Sequence, residues 1–513
     1  MVFENGSVLD TSRSCAGLKL AASHLAASHH AVGYRRTKTA SNIEFEAMRL
    51  RKRTTPEAPA SQLTPAEHGK SLRKQTPRAA HREWEPDPQR PDPLAILQAQ
   101  GAERVEHLVP IRYGRMLASA GAFFRGGAAI MAWDLSRTPS SGLRVQCCGD
   151  AHLLNFGLYA SLDRRMVFDL NDFDETLPAP FEWDLKRLVA SVSVAARDNG
   201  CDAKQSYAAA LAAADRYRSR MAELAARPFL DVWYSRTDAD LIVDEISRSS
   251  SKKGVKAVQK MINKAGRKTN LGALARYAER TPDGWVIKEE PPVITAIPDG
   301  QRQDFEPSVA AAFEKYLDSL GPAERIVIER YHRVDFARKV VGVGSVGTQA
   351  FMLLMMGAHD EDPLFIQFKE AGNSVLAPYV GASAYQHQGE RVVRGQQVMQ
   401  SASDPFLGWT TDVMGQGKHY YLRQLRDMKG SVPVEALDPY LLSRYAELCG
   451  GVLAHAHARS GDAAAISAYI GSGGVFPQAI AEFAVLYAEQ NQLDYEALQR
   501  AVVDGRIEAS LGV

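Results

Sequence analysis

The chain has 513 residues, of which 45% are hydrophobic and 24% are charged, and its formal net charge at pH 7 is +1. This length allows about two to four domains, and the near-neutral charge argues against bulk attraction to nucleic acid or to an acidic surface. The five cysteines form no C-x-x-C pair, which argues against a disulfide framework or a zinc site and favours a reducing, cytoplasmic setting.

Residues 1–80 are rich in Ala, Ser, His, Arg and Lys and have little apolar periodicity. Because such a composition offers little apolar surface to bury, we predict a disordered basic extension here. The segment also lacks the continuous apolar stretch of a secretory signal. Order is predicted to begin near Arg82.

An acidic segment follows two predicted strands, residues 143–148 and 166–170, that flank a loop from Gly149 to Asn155. Four carboxylates lie within seven residues, and they repel one another unless a cation or basic groups compensate: Asp169, Asp172, Asp174 and Glu175. A solvated acidic turn is the alternative, but the apolar neighbours Phe168, Leu170 and Phe173 argue against full solvation. The pattern therefore predicts a metal site.

The spacing of this segment suits phosphoryl transfer. In kinase-type enzymes a carboxylate accepts the proton of the attacking hydroxyl, while an amide and a second carboxylate hold Mg²⁺. Asp150 fits the base, and Asn155 fits the amide ligand. Asp172 fits the second carboxylate, with Asp169 as the competing assignment. Upstream, Arg125 in an apolar run is expected to face the phosphates or the acceptor, or else to form a salt bridge with the acidic cluster.

The run Gly342-Val343-Gly344-Ser345-Val346-Gly347 has the spacing G-x-G-x-x-G. A dinucleotide-binding turn requires a helix directly after the glycines, whereas residues 348–354 continue as a strand. A glycine loop between two strands is the kinase arrangement, in which backbone amides cover the nucleotide phosphates. Residues 340–358 carry no charge, but their four glycines favour a β-hairpin over a membrane-spanning helix.

Lys369 ends the apolar strand Phe365-Ile366-Gln367-Phe368-Lys369, on the second strand beyond the glycine loop. A lysine at a strand end is often a surface residue, but this position is where a kinase keeps the lysine that contacts the phosphates. Glu390 begins a predicted helix 21 residues later. It is interpreted either as the carboxylate that orients Lys369 or as a solvated residue at a helix N-terminus.

The C-terminal part is predicted to contain a strand at His419–Leu425, of which Tyr421 to Leu425 would lie beside adenine, and a helix at Pro439–Ser460. His455 and His457 in this helix are spaced i, i+2 and so point to different faces, which favours a core or capping role over joint metal binding.

At these residues the chain resembles the aminoglycoside and choline kinase group of the protein-kinase-like superfamily. Where that group has His-Gly-Asp, this chain has Cys148-Gly149-Asp150, and Asn155 and Asp172-Phe173 match the later positions. Asp184 matches a second structural aspartate about twelve residues further on. The departure at Cys148 affects the local hydrogen bonding and not the base itself.

Over residues 80–505 the chain also resembles the bacterial family called domain of unknown function 2252. The matching runs are Leu108–Met116, Phe124–Gly126, Gly149–His152, Asn171–Thr176, Glu182–Leu188, Val341–Thr348 and Arg423–Gly430. One departure is Ser119–Phe123, where the family tends to have Ser-Pro-Phe. This resemblance indicates a family but no substrate.

The kinase resemblance implies an α+β, two-lobe, protein-kinase-like fold in circularly permuted order, because the catalytic loop precedes the glycine loop. Permutation is physically allowed, since contacts define a fold and termini can move to surface loops. Residues 81–333 would carry the catalytic and metal loops of the C-lobe with a helical insert. Residues 334–430 would form the N-lobe-like sheet, and residues 431–513 would complete the C-lobe.

The resemblance implies an ATP- and Mg²⁺-dependent phosphotransferase that acts on a small-molecule hydroxyl, without nucleic-acid or membrane partners. Asp150, Asn155 and Arg125 would form the catalytic set, with Asp172 or Asp169 on the metal. Gly342, Gly344, Gly347, Lys369 and Glu390 would contact the nucleotide. AMP transfer on the same fold and a non-catalytic nucleotide-binding or scaffold protein are the alternatives.

Overall fold

The computed structural model describes residues 63–240, 242, 252–297, 299–340, 342–425 and 428–512. These residues belong to one unit of mixed α and β structure, which confirms the predicted α+β class. The helices with defined bounds are α1 (Pro65–Leu72), α2 (Pro93–Ala102), α3 (Val109–Met116), α4 (Ala120–Gly126), α5 (Ala128–Leu135), α6 (Phe181–Asp198), α7 (Ala203–Ala225), α8 (Phe229–Tyr234), α9 (Lys252–Gly266), α10 (Asn270–Tyr277), α11 (Asp299–Ser319), α12 (Pro322–Ile328), α13 (Ala377–Val380), α14 (Gln388–Met399), α15 (Pro439–Ala458), α16 (Ala463–Ile470) and α17 (Val475–Val503). The strands are β1 (Arg144–Cys147), β2 (Phe156–Ala160), β3 (Met166–Leu170), β4 (Leu177–Pro180), β5 (Ala278–Thr281), β6 (Gly284–Ile287), β7 (Ile294–Ala296), β8 (His332–Lys339), β9 (Ala350–Met356), β10 (Pro363–Glu370), β11 (Gly408–Thr411), β12 (His419–Gln424) and β13 (Gly430–Ser431).

The largest sheet is antiparallel and has the strand order β11-β12-β10-β9-β8-β7. Its central strand β9 is buried along its whole length. Alternate side chains of a strand point to opposite faces. Accordingly Phe351 and Leu353 pack with Tyr316 of α11, while Met352 and Leu354 pack on the other face, in the cluster that includes α10. The uninterrupted apolar run of β9 therefore reflects a sheet covered on both faces. Two short strands, β1 and β4, form a separate antiparallel pair that leads into α6.

The other large core lies among the long helices α6, α7, α15 and α17. Helix α7 is rich in alanine, and its small side chains allow α15 to approach closely. A Cβ at Gly450 of α15 would lie 2.3 Å from the carbonyl oxygen of Ala213 in α7, so a glycine is required there. Phe181 and Tyr217 stack across α6 and α7, with ring centroids 6.1 Å apart. No helix within the described ranges has both the length and the apolar character needed to cross a membrane.

The predicted boundary of the disordered extension, residue 80, lies too late in the chain. Helix α1 begins after Thr64, whose side chain accepts from the Glu67 amide while the Glu67 carboxylate accepts from the Thr64 amide, a reciprocal cap. The helix packs on α16, and Arg73 Nε donates to the carbonyl oxygen of Tyr469 at 2.9 Å. The prediction is thus wrong for residues 63–80, because a local cap and a distant helix together order them. Residues 1–62 lie outside the described residues.

The observed sheet begins earlier in the chain than residue 334, where the sequence predicted its start. Strand β8 starts at His332, and the short strand β7 at Ile294–Ala296 pairs with it at the edge of the sheet. Helices α10 and α11, which precede β8 in the chain, supply the two covering layers. Residues assigned to the end of the first predicted domain therefore belong to the sheet and its cover.

Candidate functional site

The loop that carries Asp150 is fixed by a carboxylate from α6. Asp184, one turn into that helix, accepts from the backbone amides of Cys148 at 2.7 Å and Gly149 at 3.0 Å. Gly149 has φ of +82°, and a Cβ there would lie 2.3 Å from the carbonyl oxygen of Glu175, so only glycine fits. The loop is held between the start of α6 and the acidic segment.

Asp150 is oriented by a second residue of α6 that the sequence interpretation did not include. Arg187 Nε donates to Asp150 Oδ1 at 2.5 Å, and Arg187 Nη2 donates to the carbonyl oxygen of Phe124. Arg187 lies three residues after Asp184, so both side chains occupy one face of the helix, and this spacing was the available signal. Burial raises the pKa of Asp150, although Arg187 and then Arg125 act against it. Its other oxygen, Oδ2, lies 3.7 Å from His152 Nε2.

Lys369 meets the acidic segment across a separation of 197 residues. Its Nζ lies 3.4 Å from Asp172 Oδ1 and forms an ion pair with Asp174. Burial by itself lowers the pKa of Lys369, but the carboxylates of Asp172 and Asp174 outweigh burial and hold the pKa well above its ordinary value. Lys369 and Asp172 thus lie well within the length of a nucleotide, about 10 Å, of each other.

The two carboxylates differ in their remaining contacts. Asp174 Oδ1 accepts from the Tyr421 hydroxyl at 2.7 Å, and its Oδ2 accepts from Ser345 Oγ at 3.1 Å as well as pairing with Lys369. Burial opposes ionisation of Asp174, but Lys369 and then Tyr421 lower its pKa. Burial and then Asp174 raise the pKa of Asp172. Within the described part of the chain, Asp172 Oδ2 has no hydrogen bond, and this side chain is one-third exposed. Asp172 thus offers a free oxygen, whereas Asp174 is fully engaged.

The side-chain oxygen of Asn155 also has no hydrogen bond among the described residues. Its Nδ2 donates to the backbone carbonyl oxygen of Asp150 at 2.8 Å, and the backbone carbonyl oxygen of Asn155 accepts from the amide of Asn171, the residue before Asp172. Carboxylate and amide oxygens are ligands that Mg²⁺ accepts in proteins. Asn155 and Asp172 therefore each have an oxygen of a type that Mg²⁺ accepts.

Asp169 occupies a different environment. Its Oδ2 accepts from the amide and the hydroxyl of Ser401, at 3.0 and 2.8 Å, and its Oδ1 accepts from the Leu170 amide. The side chain is buried, and both oxygens already have donors. The structure therefore separates the competing assignments: Asp172 faces Lys369 and Asp169 anchors Ser401.

The glycine-rich segment connects β8 and β9, as the pattern predicts. Gly342 and Gly347 have φ of +68° and +90°. Ser345 donates to Asp174, and a Cβ at Gly344 would lie 3.3 Å from the carbonyl oxygen of Arg125, which places this loop over the acidic segment and the end of α4. The loop therefore contacts Asp174, the carboxylate that is paired with Lys369.

Residues 104–115, which precede the Asp150 loop in the chain, hold both ends of this glycine loop. Arg115 Nη1 donates to the carbonyl oxygen of Gly342 at 2.5 Å, and the amide of Val105 donates to that of Gly347 at 2.8 Å. Arg104 donates to the carbonyl oxygen of Val346. These contacts were not predicted, because nothing in the local sequence relates residues 104–115 to a loop more than two hundred residues later.

Glu390 does not pair with Lys369, which corrects that interpretation. Its carboxylate lies 3.4 Å from Arg394 Nε on the next turn of α14, while Lys369 is occupied by Asp172 and Asp174. The following residue connects the helix to the site instead. Arg391 donates to the backbone carbonyl oxygens of Asp174, Thr176 and Gly372 at 2.7–2.9 Å. The solvated interpretation of Glu390 is therefore the one that agrees with the structure.

The C-terminal end of α15 packs beside the strand that enters the Asp150 loop. The amide of Gln146 in β1 donates to Ser460 Oγ at 2.9 Å. His457 Nε2 lies 3.3 Å from Asp184 Oδ2, and its Nδ1 bonds to the Tyr217 hydroxyl. His455 bonds to the Val232 carbonyl oxygen, so both histidines have core roles, as predicted.

Comparison with known proteins places the chain in a family. Residues 104–501 match the model of the family described as "Uncharacterized protein conserved in bacteria (DUF2252)". Searches of curated proteins and of solved structures found no match. Because the family model covers more than half of the chain, including the Asp150 loop, the acidic segment, the glycine loop and Lys369, this protein belongs to the DUF2252 family.

Proposed function

We propose that this protein is an ATP- and Mg²⁺-dependent phosphotransferase that acts on a hydroxyl of a small molecule, with a kinase-like fold in circularly permuted order. The observation that carries the proposal is the meeting of Lys369 with Asp172 and Asp174 under the glycine loop, from segments 197 residues apart. A phosphate-binding lysine and the carboxylate that binds its metal have to lie this close.

The connectivity supports the permuted order. The glycine loop joins β8 to β9, Lys369 lies on the next strand β10, α14 follows, and β12 then pairs with β10 so that Tyr421 lies opposite Lys369. Helix α15 then ends beside β1, whose loop carries Asp150. Read from β8 through α15 and on to β1, the parts follow the order of a kinase.

Each residue has a role in this proposal. Asp172 and Asn155 would hold Mg²⁺, which would neutralise the charge on the phosphates. Lys369 would move from Asp172 to a phosphate oxygen. Asp150 would accept the proton of the acceptor's hydroxyl while the oxygen of that hydroxyl forms a bond to the γ-phosphorus. The bond from that phosphorus to the β,γ-bridging oxygen would break, and ADP would leave with the electron pair.

A thermal-shift measurement tests nucleotide binding. ATP with Mg²⁺ at about a hundred times its dissociation constant should stabilise the protein by about 2.7 kcal/mol. Asp172→Asn should remove the Mg²⁺-dependent part of this shift. Asp169→Asn is the matched control, because it changes a carboxylate bound to Ser401, and its ligand-induced shift should persist. Loss in the control alone would refute the metal assignment, and no response to any nucleotide would favour the scaffold alternative.

Turnover tests the base. Asp150→Asn should slow ATP hydrolysis, or transfer to an acceptor, about 10²- to 10⁴-fold while ATP binding persists, because the base acts on the hydroxyl and not on the nucleotide. ATP labelled at the γ or the α position then identifies the transferred group. Incorporation of the α label into the product would replace phosphoryl transfer by AMP transfer.

A further inference from the structure

A cavity of about 160 Å³ lies directly beside the Asp150 loop. Phe124, Leu153 and Val194 are among its buried apolar walls, and Asp198 and Glu435 lie at its solvent-exposed side. His152 also lines it, and the ring of His152 is 3.7 Å from Asp150. A molecule in this cavity is therefore a neighbour of the proposed base.

Arg125 supplies the positive charge of this cavity. Its Nε is buried without a hydrogen-bond partner, and no carboxylate in the described part of the chain lies within ion-pair distance of its guanidinium. Burial lowers its pKa, while the more distant charges of Asp150, Asp172 and Glu435 act in the opposite direction. The Nη groups of this partly buried side chain have no hydrogen-bond partner among the described residues, and a bound anion that accepts from them would offset the cost of removing the charge from water.

The neighbouring arginines are already engaged. Arg104 and Arg115 donate to carbonyl oxygens of the glycine loop, and Arg187 binds Asp150. Of these four, Arg125 is the one whose guanidinium has no hydrogen-bond partner among the described residues. On the exposed side, Asp198 Oδ2 accepts from the amide of Gly121 at 2.8 Å, so this carboxylate is partly compensated by the protein itself.

We propose that the cavity is the acceptor site and that the acceptor is a small hydroxylated anion whose carboxylate or phosphate binds Arg125 and whose hydroxyl reaches Asp150. The acceptor role rests on the proposed phosphotransferase function, whereas the anion site stands on the cavity and Arg125 alone. A guanidinium binds a carboxylate or a phosphate through two parallel hydrogen bonds. The cavity volume of about 160 Å³ suits a small molecule.

This assignment differs from what the kinase resemblance alone suggests. Aminoglycosides and choline are cations, and a cation would be repelled by Arg125 at the buried end of the cavity. The exposed carboxylates Asp198 and Glu435 are screened by water, so they accommodate an additional amino group at the open side without determining the charge preference. The charge of the acceptor is thus a direct test of the site.

The experiment measures binding to the full chain by calorimetry and by thermal shift, without nucleotide. The probes are glycerate, glycerol 3-phosphate, glycerol and ethanolamine at equal concentrations. One or both anions should bind, whereas glycerol and ethanolamine should not. Comparison of glycerate with glycerol 3-phosphate distinguishes a carboxylate site from a phosphate site. Arg125→Met should weaken anion binding about 10- to 100-fold, the loss expected for charge-assisted hydrogen bonds. Arg125→Lys should give an intermediate affinity.

Two further variants keep the test decisive. Ala195→Phe fills the cavity without removing a charge and should also abolish anion binding. Arg137→Met is the matched control: this exposed arginine lies over Trp133 in another part of the molecule, and its loss should leave the anion affinity unchanged.

Three outcomes would overturn the proposal: preference for ethanolamine, no anion binding up to the highest concentration used, or anion binding that Arg125→Met leaves unchanged. A fourth would do so as well, namely that Arg125→Met weakens ATP binding and not probe binding, since Arg125 would then belong to the nucleotide site. The ATP and Mg²⁺ shift of the parent is measured in parallel. An intact ATP shift without anion binding refutes this inference only, and anion binding without an ATP shift refutes the phosphotransferase.

Discussion

Lys369 and Lys186 are both buried, yet their surroundings are opposite. Lys369 lies at the end of a strand with Asp172 and Asp174 within ion-pair distance. Lys186 lies in the middle of α6, where its Nζ is 4.5 Å from the centroid of the Phe483 ring and has no hydrogen-bond partner among the described residues. One lysine has two carboxylates, and the other has an aromatic ring.

The surroundings move the two pKa values in opposite directions. Burial lowers the pKa of Lys186 to about 7, because Glu182 and Glu83 compensate only in part. One oxygen of Glu182 is taken by the amide of Ser141 and does not reach the amine. Lys369 remains charged because its carboxylates are near, and those carboxylates are partly exposed to solvent. A perturbed pKa alone therefore does not distinguish a candidate site from a structural position. The distinguishing property is that the carboxylates beside the lysine are partly exposed.

The largest effect should come from Lys369→Met. Asp172 and Asp174 would then lie side by side without their cation, and the free energy of unfolding at pH 7 should fall by about 1–3 kcal/mol. Lys369 helps to lower the pKa of Asp174 in the folded state, so this stabilisation is present above the carboxyl's ordinary pKa, 3.8, and is lost as pH falls through the lowered value. The difference from the parent should therefore shrink below about pH 4. Urea unfolding at several pH values measures it.

Lys418→Met is the control for that experiment. Lys418 forms an ordinary, partly exposed ion pair with Glu370 at 2.8 Å, so its loss should cost less than about 1 kcal/mol. Mg²⁺ should restore part of the lost stability in Lys369→Met and none in Lys418→Met. An equal cost in the two variants would show that the Lys369 pair is an ordinary structural ion pair.

At pH 7 a smaller effect is expected for Lys186→Met, and this effect depends on pH. The folded-state pKa is about 7 and the ordinary value is 10.5, so between these values the unfolded chain binds more protons than the folded chain. The free energy of unfolding should accordingly rise with pH in this window, by at most about 1.4 kcal/mol per pH unit, and fall as the amine is protonated. The variant should lack this rise while its ATP-induced shift is unchanged. An identical pH dependence in parent and variant would contradict the assignment.

The smallest effect is expected for Glu390→Gln. Because the ion-pair partner of this carboxylate among the described residues is the exposed Arg394, its replacement should change the free energy of unfolding by less than about 0.5 kcal/mol and leave the ATP response intact. Arg391→Met provides the contrast, since it removes donors to three backbone carbonyls and should cost clearly more than Glu390→Gln. A loss of the ATP response in Glu390→Gln would revive its pairing with Lys369 in the nucleotide-bound protein.

The sequence by itself predicted the local parts of this protein. Glycine spacing followed by a strand-like run identified the loop at residues 342–347 as a connection between strands, because positive φ angles and apolar alternation are local properties. The apolar strand ending in Lys369 and the loop with Asp150 and Asn155 were found in the same way. The family match agrees with these motifs.

Only the tertiary structure decided which charged groups meet. Glu390, 21 residues from Lys369, is excluded, and Asp172, 197 residues away, is chosen. Likewise Asp169 differs from Asp172 because Asp169 accepts a hydrogen bond from Ser401, and Asp150 is paired with Arg187. Sequence patterns determine backbone conformation over a few residues, whereas an ion pair depends on distances of a few ångströms that are set by the packing of the whole sheet and its helices.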